Sequence, residues 1–263
     1  MIDIHNHILP GIDDGASDIE DSIEMARIAL SEGFSGIVAT PHYGRAGFFS
    51  DIQMARRLVE DLRQELAERG IDINIFPGME VLVCPEVIDL LNSEKIIPVN
   101  DGIYILLELP AMTVPAGFNN LIKSVLNIGK KVIIVHPEKN MEVQRRSDYV
   151  FEILNAFQPG DVLIQVTADS LTGDSGLRAL STAKYLIENR MAHIIATDAH
   201  GSTARPPRIA EALDLAISLV GKDVAVKMVT EWPEKIVNGD SVIPDSPQLK
   251  PQKRKWWQSF LGK

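Results

Sequence analysis

The chain reads as an α/β protein folded as a distorted, TIM-like (β/α)7 barrel. Three observations predict this. Seven short β-rich runs alternate with longer helical patterns, which calls for parallel strands joined by helical crossovers. The 263 residues suit one α/β barrel, typically about 250 residues long. Nearly every strand candidate runs into a histidine or a carboxylate, and barrels open their strand C-termini on the face that carries the site. Seven strands is one short of the standard barrel, so an open doubly wound sheet is the second choice.

Composition narrows the function classes. At 45% hydrophobic residues the chain can bury a large core, which argues against disorder. A formal net charge of -10 argues against nucleic-acid binding through the general surface. Cys84 is the single cysteine, so neither a disulfide framework nor a thiolate zinc site is expected. That usage fits a cytoplasmic protein. Met1 leads straight into an apolar strand, and no secretory leader or membrane span is expected.

The elements follow in order. Strand candidates are Ile2–Ile4, Gly36–Ala39, Ile73–Phe76, Tyr104–Leu107, Lys131–Val135, Val162–Val166 and His193–Ala196. Each is a short apolar run rich in β-branched residues, as buried parallel strands are. Between them helical periodicity predicts Asp18–Glu32, Asp51–Arg69, Pro85–Leu91, Phe118–Ile128, Val143–Phe157 and Gly176–Asn189. Helices near Pro207–Val220 and Val224–Val229 close the fold. Ser17 is the expected N-cap of the first helix, with Glu20 as its capping-box partner. Tyr43–Phe49, with glycine and aromatics, reads as a surface loop. Residues 1–245 form the expected domain, and 246–263 a separate tail.

The chemistry sits at the strand ends. His5 and His7 are two apart and share a face of the first strand. The turn Leu9-Pro10-Gly11-Ile12-Asp13-Asp14-Gly15 follows with two carboxylates. Later strands run into His42, Glu80, Glu108, His136, and the pair Asp198 and His200. Taken singly, a histidine or glutamate after a strand is more often a cap or turn residue. Repetition at six strand ends, taking five of the six histidines, points instead to a polynuclear metal centre. Mixed nitrogen and oxygen donors without thiolate suit manganese, zinc or iron. With Asp14 there are nine candidate donors, more than the roughly four one zinc takes, so two or three ions are expected.

The motifs His5-x-His7, the Asp13-Asp14 turn, Ala39-Thr40-Pro41-His42, Pro77-Gly78-Met79-Glu80, Leu106-Leu107-Glu108-Leu109-Pro110, His136-Pro137-Glu138 and Thr197-Asp198-Ala199-His200 together resemble the PHP (polymerase and histidinol phosphatase) superfamily. Within it the chain is similar to the bacterial CpsB/CapC/YwqE tyrosine-protein phosphatases of capsule and exopolysaccharide synthesis. The resemblance implies a PHP fold, a three-metal site and manganese. It implies one ion on His5, His7, Glu80 and Asp198. A second would lie on Glu80, Glu108 and His136, and a third on Asp14, His42 and His200. Asp13 competes with Asp14 for its place.

It further implies hydrolysis of phosphotyrosine on a membrane-linked bacterial tyrosine kinase or its targets. Arg205 matches the family's phosphate-binding arginine. Lys139 stands where the resemblance leads one to expect arginine, and lysine keeps the charge without the planar two-pronged grip. Arg45 is a further candidate for substrate contact. A cysteine-based phosphatase is excluded, because Leu90 stands six after Cys84 where that chemistry needs arginine. No P-loop spacing follows Gly11 or Gly15. The alternatives are a small-molecule phosphatase such as histidinol-phosphate phosphatase, a barrel amidohydrolase, and a non-catalytic binding module. Glu108 argues against the amidohydrolase, and the full donor set argues against the binding module.

The tail carries Lys250, Lys253, Arg254, Lys255 and Lys263 with Trp256, Trp257 and Phe260. Cations mixed with interfacial aromatics suit an anionic membrane surface, so peripheral contact with the inner membrane face is expected.

Overall fold

The computed structural model describes residues 1–249. Nine strands form among the described residues: β1 (Ile2–Asn6), β2 (Gly36–Ala39), β3 (His42–Tyr43), β4 (Asn74–Pro77), β5 (Glu80–Leu82), β6 (Tyr104–Glu108), β7 (Lys131–Val135), β8 (Val162–Thr167) and β9 (Ile194–Ala196). All pairings between them are parallel, in the orders β1-β2-β4 and β3-β5-β6-β7-β8-β9.

The nine segments make seven staves. β2 and β3 are one stave broken at Thr40-Pro41, and β4 and β5 are one broken at Gly78-Met79. Pro41 has no N–H to give a ladder. At Gly78 a Cβ would press within 2.8 Å of Val38 Cγ1, so only glycine lets the two staves approach there. The ring closes where His7 N donates to Ala199 O at 2.9 Å and Asp198 N to His5 O at 2.8 Å. Buried Asp3 clamps this seam: it accepts from the Thr197 N–H and hydroxyl and from Asn6 Nδ2.

Two apolar layers hold the barrel. Ile4, Val38, Leu106, Ile133, Leu163 and Ile194 fill its interior, as inward side chains do in closed barrels. Tyr104 joins them, its hydroxyl accepting from Val242 N at 3.0 Å. A larger layer, with Ile37, Leu62, Ile75, Leu107, Ile134 and Leu186, packs strands against helices.

Local expectations change in three places. The first helix, Ile19–Ser31, is capped by Asp18, which accepts from Asp21 N. The Asp21 carboxylate reaches back to Ser17 N and across to Ser202 N, so the box runs Asp18–Asp21 rather than Ser17–Glu20. The helix expected over 143–157 is two, Met141–Arg145 and Asp148–Asn155, because Arg146 leaves helical angles at φ -141, ψ 71. A short helix, Ala168–Thr172, follows β8 and is capped by Thr167. Residues 43–49, expected as a surface loop, are one that closes on itself as a tight hairpin. Among the described residues no helix is long and apolar enough to cross a membrane.

Candidate metal centre

Parallel register assembles the cluster. His42 pairs with Glu80, and Leu82 with Glu108. The nine predicted donors therefore meet at the C-terminal ends of the staves. Three groups bring their ligating atoms within 4.8 Å of one another: His5, His7, Glu80 and Asp198; His7, Asp14, His42 and His200; and His42, Glu80 and Glu108. His5 Nε2 and His7 Nε2 each lie 3.3 Å from Glu80 Oε2, and 3.5 and 3.4 Å from Asp198 Oδ1. Asp14 Oδ1 lies 3.2 Å from His42 Nε2 and 3.5 Å from His200 Nε2. His136 Nε2 meets Glu80 Oε1 at 2.6 Å. The group around Glu108 contains His42, where the resemblance put His136.

The donors fit metal ions. Eight of the nine are buried or nearly so, and Asp14 alone is half-exposed. His42 Nδ1, His42 Nε2, Glu80 Oε2 and Glu108 Oε2 are buried without a hydrogen bond among the described residues. His42 Nδ1 is 2.7 Å from Glu80 Oε2, yet the pair lacks hydrogen-bond geometry. Lone pairs converging without a shared proton suit a cation between them. His136 and Asp198 hold left-handed backbone angles, φ 32 and φ 52. Such strain costs about 1–3 kcal/mol per residue and collects at functional sites.

Electrostatics sets the protonation states. Burial pushes Glu80 upward, but His5 and His136 beside it hold its carboxyl well below the usual range. Burial likewise opposes ionisation of Asp198, and Lys139 and His5 overcome it. Burial lowers His136 to about 4. Burial and the neighbouring His7 lower His200 to about 2. Neutral imidazoles and ionised carboxylates are the ligand forms. Burial also disfavours a proton on His7, but its bonds to Asp13, Asp198 and Glu80 raise it well above its ordinary value.

The neighbours of the donors orient them. Asp13 Oδ1 accepts from Gly15 N at 2.9 Å, and Oδ2 faces His7 Nδ1 at 2.7 Å. Asp13 thus stands behind a donor, and Asp14 faces the cluster. Gln165 Oε1 lies 3.2 Å from His5 Nδ1 and accepts from His136 N at 3.3 Å. Sequence reasoning misses Gln165; its one signal is an amide inside the apolar run Val162–Thr167. Glu138 is buried and accepts from the Thr167 N–H and hydroxyl, tying the turn after β7 to the end of β8.

Two cations cover Asp198. Lys139 Nζ donates to Asp198 Oδ2 at 2.6 Å, and Arg205 donates to the same oxygen at 2.8 Å. Arg205 also reaches Asp169 at 3.5 Å. Both cations line a cavity of about 1050 Å³ with Gln144, Asp169, Thr203 and Ile209. Across the cluster Arg45 pairs with Glu108.

A closed parallel barrel with convergent His, Asp and Glu candidate donors at its strand C-termini has the architecture of the metal-dependent hydrolase class. The chain belongs to the capsular polysaccharide synthesis family CpsB/CapC, whose model matches residues 1–238. A CapC of Staphylococcus aureus, named a candidate tyrosine-protein phosphatase, is 34% identical over 206 residues, covering 78% of this chain and 79% of CapC. The tyrosine-protein phosphatase YwqE of Bacillus subtilis is 32% identical over 255 residues, covering 97% and 98%. A crystal structure from work on YwqE of Bacillus subtilis and CpsB of Streptococcus pneumoniae, described as unique metal-dependent tyrosine phosphatases, superposes with a TM-score of 0.89. It has 31% identity and covers 96% of this chain and all of the other. The fold alone is shared with a histidinol phosphate phosphatase of Lactococcus lactis, at a TM-score of 0.54, 14% identity, and 83% and 93% coverage.

Proposed function

We propose that this chain is a manganese-dependent protein-tyrosine phosphatase acting on a membrane-linked bacterial tyrosine kinase or its targets in capsule or exopolysaccharide synthesis. The observation that carries the reading is the cluster of eight grouped candidate donors, joined by His136 on Glu80 and flanked by Lys139 and Arg205 on Asp198. Residues 1–245 are its catalytic domain. His5, His7, Asp14, His42, Glu80, Glu108, His136, Asp198 and His200 hold two or three ions, with iron or zinc as the other candidates.

Ions held there supply Lewis-acid charge for the phosphoryl oxygens and make water acidic enough to attack near neutral pH. The protein does the rest. Asp13 and Gln165 aim His7 and His5. Arg205 and Lys139, the substrate-facing catalytic cations, turn from Asp198 to the phosphoryl group and hold it in line. Tyrosine phenolate, with a pKa near 10, leaves more readily than a serine alkoxide. The cavity beside Arg205 and Lys139 has room for residues flanking a phosphotyrosine, which favours a polypeptide over histidinol phosphate.

The enzyme works in the cytoplasm, at the inner membrane face, with the basic tail of 246–263 as the contact. Most of that tail, 250–263, lies outside the described residues. The deciding experiment compares hydrolysis of a phosphotyrosine peptide and of histidinol phosphate, with manganese and with chelator. Manganese-dependent release from the peptide alone is expected. Preference for histidinol phosphate would overturn the reading.

A further inference from the structure

The hairpin Tyr43–Phe49 carries a cation and an aromatic ring to the rim of the donor cluster. Its tip is the turn Arg45–Phe48, closed by Phe48 N donating to Arg45 O at 2.8 Å and Gly44 N to Phe48 O at 2.6 Å. Ala46 and Gly47 both take positive φ, 49 and 87, the backbone of a two-residue hairpin turn. Tyr43 and Phe49 pair as an antiparallel bridge and pack edge to face at 5.6 Å. The tip is therefore built, and its side chains have defined directions.

Two of those side chains face the centre. Arg45, half-exposed, contacts Glu108 through one guanidinium nitrogen. No contact occupies its other nitrogens among the described residues. Phe48 lies nearly parallel to the His42 ring, centroids 6.3 Å apart and planes 23° apart, and remains partly exposed. Glu108 ends β6, three staves from β9, beyond which Asp198 carries Lys139 and Arg205. The cluster is thus gripped by cations from opposite sides, and the Arg45 side has the Phe48 ring beside it.

We propose that this hairpin selects aryl phosphates: Arg45 grips the phosphoryl oxygens opposite Arg205, and Phe48 covers the tyrosyl ring. The inference rests on the phosphatase reading above. A guanidinium with unused donors matches a phosphoryl group. A partly exposed phenyl at the rim stacks on an aryl ester and gains little from an alkyl one.

The test is calorimetric binding of phenylphosphonate and methylphosphonate to the manganese-loaded protein, with metal content measured on each preparation. The wild type should prefer the phenyl ligand. Arg45→Gln should weaken both ligands by a similar factor, about tenfold or more. Phe48→Leu should leave methylphosphonate unchanged and cut the phenyl preference about three- to tenfold, with metal content intact. Equal affinities in all three proteins would overturn the proposal. So would metal loss from Phe48→Leu, which would make the ring a cover for His42 alone. Phosphotyrosine peptide turnover by the same wild-type preparation separates the failures. Turnover with unaffected variants overturns only the hairpin's role; no turnover with metal bound overturns the underlying reading, and this one with it.

Discussion

Asp13 Oδ2 lies 2.7 Å from His7 Nδ1, and the same oxygen accepts the His42 backbone N–H at 3.0 Å. One carboxylate therefore fixes the tautomer of one donor and the position of another. Partners of this kind are worth about 10- to 100-fold in metal affinity. Asp13→Asn should weaken manganese binding by that factor while circular dichroism stays unchanged. A chelator competition showing wild-type affinity would remove Asp13 from the site.

Gly15 makes that contact possible. A Cβ there would strike the His7 carbonyl oxygen and its Cβ, with Asp13 Oδ1 only 2.9 Å away. The carbonyl oxygen is backbone and the Cβ is fixed to the same residue's backbone, so neither can turn aside. Gly15→Ala should shift the turn, break the Asp13–His7 pairing and lower bound metal, read by elemental analysis. Full metal content in this variant would contradict the geometry.

Arg205 shares Asp198 Oδ2 with Lys139. Removing a donor aimed at transition-state charge typically costs about 10²–10³ in kcat. Arg205→Ala should lose activity on a phosphotyrosine peptide in that range and keep its metal. Lys139→Arg restores a planar fork and should lower KM for the peptide. Loss of metal from Arg205→Ala would mean that Arg205 acts by holding Asp198 instead.

His193, outside the cluster, contributes to acid stability. Its Nδ1 accepts the Ile164 N–H at 3.0 Å, and burial lowers it to about 3. In the unfolded chain it titrates near 6.5. The unfolded state therefore binds the extra proton between these values. Its stabilisation is complete above about 6.5 and is lost as pH falls toward 3, by at most about 1.4 kcal/mol per pH unit. His193→Asn keeps an acceptor and removes the titration. With chelator present throughout, its denaturant midpoint should fall less steeply than the wild type's between pH 6.5 and 4.5. Parallel curves would disprove the assignment.

Deleting residues 246–263 should release the protein from vesicles containing anionic lipid, measured by sedimentation. Turnover of a small aryl phosphate should be unaffected. Undiminished vesicle binding would refute membrane contact through the tail.

The sequence by itself carries the alternation of strands and helices and the nine candidate donors. Both are local signals: apolar runs of strand length, each followed within a few residues by an imidazole or carboxylate. Ser17 against Asp18 as a cap, and one helix against two over 143–157, are also local questions. There neighbouring residues are chemically close enough that packing chooses. Tertiary structure alone decides how β2/β3 and β4/β5 break into staves and that Asp14, not Asp13, faces the cluster. It also recruits Gln165 behind His5 and places Arg45 and Arg205 on opposite sides. Each of these depends on contacts between residues far apart in the chain, such as Gln165 with His5 and Arg45 with Glu108. Periodicity reports which face of a strand a residue occupies, but not which distant side chain the closed barrel sets against it.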